Sequence, residues 1–401
     1  METTPNNLPV KPIERHVHFR NLDALRFIAF FGVFVFHFNA RIKAEYGPDA
    51  EGVFNFIFRQ GYLGVNFFFV LSGFLITYLL LHEERLFGAY AVRKFWMRRI
   101  LRIWPLYFAV VFYGFFVFGF LNRANPSYHE TAELKWYLLF LPNFNIIHNR
   151  YPLSTSLTIL WSVGIEEQFY LLWPLLLWFR KFRVPVMVMI VVHSLFFRFL
   201  YQHDHHTLLY HSFSFTGDLA TGGLLAWFCY GRSLEPSAVR IPRNVTLIVY
   251  VLLAVYILSL TSLYSRFPQA HYAKNTVLSL FFSYVVFEQA FSSAPLFAFG
   301  RLKWMTALGK YTYGLYCLHP VAIMAGYHLT KKLSGDTAAG GWLWIEFVVS
   351  LTSTIVVAML SYHLYERHFL KLKAWKFTRV ATLHHPDKSE AEHAENLKES
   401  I

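Results

Sequence analysis

Apolar runs close to bilayer-crossing length recur along this chain at 22–40, 61–82, 104–121, 159–180, 185–201, 209–230, 245–263, 274–291, 310–329 and 342–366. A run of about 20 such residues crosses hydrocarbon as a helix, because only a helix or a closed barrel satisfies its own backbone there. Runs this frequent leave little room for a soluble domain. The expected fold is all-α, a polytopic membrane protein with about ten transmembrane helices in one bundle and both termini cytoplasmic. Composition agrees, since 55% of the 401 residues are hydrophobic and only 15% charged, too apolar for an ordinary globular chain. A further run, Leu134–Phe144, is short and ends at Pro142-Asn143, which suits an interfacial or re-entrant segment.

The net charge of +13 raises nucleic acid as a partner, but the placement of the charge argues against it. With both termini inside and sides alternating, the inner face receives Lys11, Arg15, Arg20, the cluster Arg85 to Arg102, Arg180-Lys181-Phe182-Arg183, Arg232, Arg240, Arg243, Arg301, Lys303 and Lys310. The outer face keeps fewer, among them Arg41, Lys43, Arg59, Arg123, Arg150, Arg198 and Lys274. That bias of roughly two to one obeys the positive-inside rule. No basic-aromatic groove motif accompanies it, so anionic membrane lipids are the expected partner for most of the charge and nucleic acid is not.

Three regions follow: a polar lead-in over 1–21, the span region over 22–370, and a charged tail over 371–401 without apolar periodicity, expected to be disordered and cytoplasmic. The first run carries Asp23 and Arg26 and no small-residue cleavage pattern, so it reads as a retained anchor. Cys229 and Cys317 both fall inside apolar runs, and no disulfide framework follows.

Against this background, Ile159-Leu-Trp-Ser-Val-Gly-Ile-Glu-Glu-Gln-Phe-Tyr-Leu-Leu-Trp-Pro174 stands out. A charge in hydrocarbon costs roughly 2.5–3.5 kcal/mol even on the insertion scale, so Glu166 and Glu167 are functional candidates. Ser162, Glu166 and Tyr170 repeat at four-residue spacing and share a face, while Glu167 points about 100° away. The partner sought for Glu166 is His37, on the first span at comparable depth and eleven residues beyond Arg26, hence about three turns along one polar seam that also includes Asp23. The same pattern is compatible with His37 serving only in packing and with Asp23 and Arg26 pairing at the interface.

The other polar groups divide the same way. Gly64, Ser72 and Gly73 let a neighbouring backbone approach the second span. Arg98, Arg99 and Arg102 alternate with apolar residues; they form either an amphipathic interfacial helix or a clamp for a polyanionic nucleotide, since guanidinium forks grip phosphate. Thr312, Tyr316 and His319 lie on one stripe of the ninth span, where Pro320 loosens the helix. His193, His211, Asp218, Glu288 and Glu346 are further intramembrane polar candidates. His203-Asp-His-His206 lacks metal-ligand spacing, and no metal site is expected. Aromatics and amides over 122–158 suit a sugar-like acceptor or an interfacial aromatic belt equally.

Taken in order, Leu22-Asp-Ala-Leu-Arg26 through Phe36-His37, Gly64 to Phe74, Arg98-Arg-Ile-Leu-Arg-Ile-Trp-Pro105, Trp161-Ser through Glu166-Glu-Gln-Phe-Tyr170, and Leu308-Gly through Tyr316 and His319-Pro320 resemble membrane acyltransferase family 3. The resemblance covers about 22–370. It implies transfer of an acyl group, usually acetyl, from cytoplasmic acyl-CoA to a hydroxyl of a carbohydrate, lipid-linked or other small acceptor, in a bacterial cytoplasmic membrane. His37 matches the family's catalytic histidine and Glu166 the first acid of its Val/Ile-Glu-x-Gln-Phe-Tyr motif. Arg99 and Arg102 match its arginine motif, associated with the acyl donor; Arg98 and Arg26 are counted with them on the donor side. Asp23, Glu167, Ser72, Tyr316 and His319 are supporting positions. The closing motif departs from the family's Glu-x-Pro, reading Glu366-Arg-His368, which leaves the end of the last helix open. No appended serine-hydrolase-like domain, which some members use to relay the acyl group outward, is expected from these residues.

The implied chemistry has His37, an imidazole with a reference pKa of about 6.5, take the proton of the acceptor hydroxyl as it attacks the thioester. Glu166 is expected to orient the ring. An acylated His37 is the alternative order. The rival class is a secondary transporter of a saccharide or lipid-linked saccharide, whose protonatable seam would couple to ions, although no internal repeat is visible.

Overall fold

The computed structural model describes residues 18–47, 59–125, 128–334 and 340–372. The charged tail beyond 372 and the lead-in before 18 lie outside the described residues. Twelve helices carry the fold: α1 (Arg20–Tyr46), α2 (Leu63–Phe87), α3 (Val92–Phe112), α4 (Leu134–Leu138), α5 (Pro142–Asn149), α6 (Leu160–Leu176), α7 (Arg183–Leu200), α8 (Thr216–Gly231), α9 (Arg243–Arg266), α10 (Lys274–Phe291), α11 (Thr312–Ser334) and α12 (Gly340–Ser361). Short turns of helix join them, and among the described residues there is no strand beyond one isolated bridge, Val239 to Ser292.

Each of the ten apolar runs holds a helix, but among the described residues only six helices are long and apolar enough to cross a membrane by themselves. They are α1, α2, α3 with its extension, α7 with the turn that precedes it (Arg180–Leu200, 21 residues), α9 and α12 with its extension. The others fall short for a physical reason. Helices α6, α8 and α10 have 17, 16 and 18 residues, below the roughly 20 that a lone span needs, and α11 is diluted by polar residues. Such helices are tolerated where neighbours bury them, as Leu160, Leu219 and Leu315, fully buried, illustrate. The Leu134–Phe144 run resolves into α4 and the start of α5, broken around Phe140 at φ 57, so neither piece can span.

Small residues set the closest approaches. A Cβ at Gly73 would overlap the Leu219 carbonyl, and one at Gly222 the Val70 carbonyl, so α2 and α8 meet backbone to backbone. Gly64 packs in the same way on the Ala29 carbonyl of α1. Helix α2 stops at Gly88, whose φ of 76° only glycine adopts at little cost.

Prolines create polar positions inside the bundle. A proline within a helix lacks the N–H that would reach the carbonyl four residues back. Pro174 thus frees the Tyr170 carbonyl, which takes the Trp96 indole N–H at 3.2 Å. Pro320 frees the Tyr316 carbonyl, and His319 Nδ1 lies 2.6 Å from it. At the closing motif, where the family's proline is replaced, the helix continues through a π-helical turn, Tyr362–Glu366, to Lys371.

Most of the other intramembrane polar groups are partnered. Glu346 pairs with Arg41, tying α12 to α1. Asp218 accepts from Asn66 at 2.8 Å, and Glu288 accepts from Tyr250 at 3.2 Å and from Gln289 at 2.6 Å. Both cysteines are free and buried.

Candidate active site

The seam on α1 begins with Asp23, which pairs with Arg26 and lies 2.6 Å from His18 Nε2. Ser162, Glu166 and Tyr170 stack on α6 as their spacing requires. The Glu166 carboxylate accepts the Ser72 hydroxyl of α2 at 3.0 Å and the Tyr170 hydroxyl at 2.7 Å. Helix α3 supplies Arg99 and Arg102; the Arg99 guanidinium sits 5.4 Å from the centre of the Tyr170 ring. Helix α11 supplies Thr312, Tyr313 and Tyr316, with the Tyr316 hydroxyl 2.6 Å from Ser162 Oγ and the Tyr313 hydroxyl donating to the Ile103 carbonyl at 2.8 Å.

All of these residues line one cavity. It runs from His18, Asp23 and Leu79 to Val65, Ser162 and Tyr316. Three guanidiniums face it with two carboxylates. Asp23 is engaged with Arg26, whereas Arg99 and Arg102 form no ion pair among the described residues. An anion with several oxygens suits such a surface, since charge-assisted contacts to guanidinium are the strong ones.

His37 is not among the residues lining this cavity. Its Nδ1 lies 3.0 Å from the Val33 carbonyl and 3.1 Å from Nε2 of His319, with the two ring centres 4.9 Å apart. Glu166, expected to orient the ring, spends its hydrogen bonds on Ser72 and Tyr170 instead, and no hydrogen bond joins it to His37 among the described residues. The reason is register. Ser162 lies one turn, about 6 Å, from Glu166 along α6 and meets Tyr316 of α11, the residue whose carbonyl His319 faces.

Arg98 also departs from its neighbours, bonding Glu83 at 2.7 Å away from the cavity lining. Glu167 accepts the Trp104 indole N–H at 2.8 Å, on a different face from Glu166. His18 and Tyr313 line the cavity without having been singled out. His18 precedes the first apolar run and carried no periodic signal; Tyr313 stands one position from the stripe formed by Thr312 and Tyr316.

Helices of spanning length around a cavity with clustered guanidiniums and a buried carboxylate define an integral membrane protein with an internal polar site. The acyltransferase domain family matches residues 19–363, and the chain belongs to that family, acyltransferase family 3. It is 26% identical over 370 residues to the peptidoglycan O-acetyltransferase OatA of Listeria monocytogenes, covering 86% of this chain and 55% of that protein. It is 26% identical over 390 residues to YrhL of Bacillus subtilis, covering 92% of this chain and 58% of YrhL. Against the O-acetyltransferase OatA of Staphylococcus aureus, 31% identity extends over 171 residues, 40% of this chain and 25% of the relative. The chain thus spans little more than half the length of the first two of these curated relatives. No solved structure matches it.

Proposed function

We propose that this protein is a membrane O-acetyltransferase that moves acetyl from cytoplasmic acyl-CoA to a hydroxyl of a cell-wall carbohydrate, in a bacterial cytoplasmic membrane. The observation that carries the reading is the cavity in which Arg99 and Arg102 lie beside Glu166 without ion pairs among the described residues. Family membership supports acyl transfer, and the names of the OatA relatives support peptidoglycan as the acceptor class. Residues 22–370 form the catalytic unit in this reading, as ten spans with both termini inside, which opens the basic end of the cavity to the cytoplasm.

Arg26, Arg99 and Arg102 grip the phosphates of the donor, and its extended arm follows the cavity toward Tyr316. His37 removes the proton from the acceptor hydroxyl, whose oxygen attacks the thioester carbon. The carbon–sulfur bond breaks, the imidazolium returns its proton to the departing thiolate, and the products are an acetyl ester and free CoA. Glu166 balances the guanidinium charge and anchors α2 to α6. The aromatics Tyr151 and Tyr210, whose hydroxyls lie 3.4 Å apart, and Trp136 stacked on His148 offer the acceptor apolar faces. The saccharide-transporter reading has no comparable support.

The test is turnover of acetyl-CoA by the purified protein in lipid, with a panel of peptidoglycan fragments and other glycosides, beside His37→Gln. Acetyl ester formation that depends on His37 supports the proposal; a folded protein that neither binds acetyl-CoA nor forms ester overturns it.

A further inference from the structure

His319 and Pro320 are adjacent, and together they determine which nitrogen of the imidazole pair carries a proton. Pro320 has no N–H, so the Tyr316 carbonyl lacks its helical donor, and His319 Nδ1 sits 2.6 Å from that oxygen. A carbonyl only accepts, so His319 Nδ1 bears a hydrogen. In a neutral ring the other nitrogen, Nε2, is then a lone pair. That lone pair lies 3.1 Å from His37 Nδ1, which is also 3.0 Å from the Val33 carbonyl. Two acceptors therefore face His37 Nδ1, and it must be the protonated nitrogen. His319 is fully buried, whereas His37 remains partly accessible. Trp96 capping the carbonyl freed by Pro174 is the same device at a second proline.

We propose that His319 is a positioning residue that holds His37 in the Nδ1–H tautomer, leaving His37 Nε2 as the base. It does for His37 what the carboxylate of a catalytic triad does, using an imidazole lone pair whose own orientation is set by the following proline. The same lone pair accepts from Nδ1–H after His37 has gained a proton on Nε2, so it stabilises the imidazolium as well. This inference rests on the reading of His37 as base, and two separate readouts test it.

The first readout is nitrogen-15 NMR of the histidine-labelled full chain in lipid, with the His37 signals identified by their loss in His37→Gln. Nδ1–H on His37 in the wild type is expected, with an Nε2–H fraction appearing in His319→Ala, where the remaining acceptor, the Val33 carbonyl, is already shared with the helical N–H of His37. Pro320→Ala, whose restored amide competes for the Tyr316 carbonyl, should shift the spectrum in the same direction. His319→Gln, which places an amide oxygen near the position of Nε2, should keep the wild-type tautomer. The second readout is turnover: His319→Ala is expected to lose roughly 10- to 100-fold in kcat, part of what a positioned base contributes, with KM for acetyl-CoA unchanged, and His319→Gln to recover most of it. A wild-type His37 protonated on Nε2, or an unchanged tautomer in His319→Ala, overturns the proposal. Full activity of His37→Gln would overturn the base assignment instead, while the spectra still report on the pair.

Discussion

The Tyr316 hydroxyl and Ser162 Oγ lie 2.6 Å apart, joining α11 to α6 at the wall of the arginine-lined cavity. Both side chains line the cavity, and neither His319 nor His37 does.

Opening that contact should uncouple the reaction. In Tyr316→Ala the thioester loses the side chain that excludes water at its inner approach, so hydrolysis of acetyl-CoA should rise several-fold relative to ester formation. Release of CoA and ester yield, measured together, check this; an unchanged ratio argues that Tyr316 is only packing.

The arginines should separate by role. Arg99→Ala and Arg102→Ala each remove a guanidinium that forms no ion pair among the described residues, and a charge-assisted hydrogen bond is worth about 1.5–3 kcal/mol, so KM for acetyl-CoA should rise about 10- to 100-fold. Arg98→Ala should change it far less, because Arg98 bonds Glu83. Steady-state kinetics at one fixed salt concentration give the comparison.

Glu166 should matter for stability as well as turnover. Glu166→Ala leaves the Ser72 and Tyr170 hydroxyls without their acceptor, at about 1–3 kcal/mol, and leaves the guanidiniums without a counter-charge. Glu166→Gln retains an acceptor oxygen and should unfold near the wild-type temperature while losing turnover. Thermal unfolding in detergent beside activity distinguishes the two variants.

The seam between α2 and α8 has no room for a methyl group. Gly73→Ala or Gly222→Ala should cost about 1–3 kcal/mol through forced backbone displacement, whereas Gly231→Ala, where nothing lies within 4 Å of the added carbon, should be nearly neutral. Melting temperatures of the three variants test this.

Acidity should loosen the short helical segment Pro268–Ala273 between α9 and α10. His271 is held down to about 4 by burial and then by the Lys274 ammonium, while an unfolded imidazole titrates near 6.5. Between those values the unfolded segment binds more protons, so stability is complete above about 6.5 and falls as pH drops toward 4. Hydrogen exchange of these amides at pH 7.5 and 5.5, after correction for intrinsic rates, should show the loss in wild type and little of it in His271→Gln.

Much of this protein was legible in its residues. Apolar periodicity located a helix at each expected run, because a buried backbone has no alternative partner in hydrocarbon. The four-residue spacing of Ser162, Glu166 and Tyr170 foretold their common face, since helical geometry is local. Ordered motifs pointed to the family. The number of helices able to span alone was not legible in the same way, because apolarity is needed only where lipid is the neighbour, and α6, α8, α10 and α11 have protein there instead.

Pairings across helices were decided only by tertiary structure. Depth along one helix follows from counting residues, but which side chain meets which depends on crossing angles and close approaches, set here by seams such as Gly73 against Leu219 and Gly222 against Val70. So Arg98 turns to Glu83 while Arg99 and Arg102 face the cavity, and His37 meets His319 rather than Glu166. The chain alone specified an imidazole, a carboxylate and a row of guanidiniums inside a helical membrane protein; packing chose their partners, because contacts between helices depend on rotations that no residue spacing encodes.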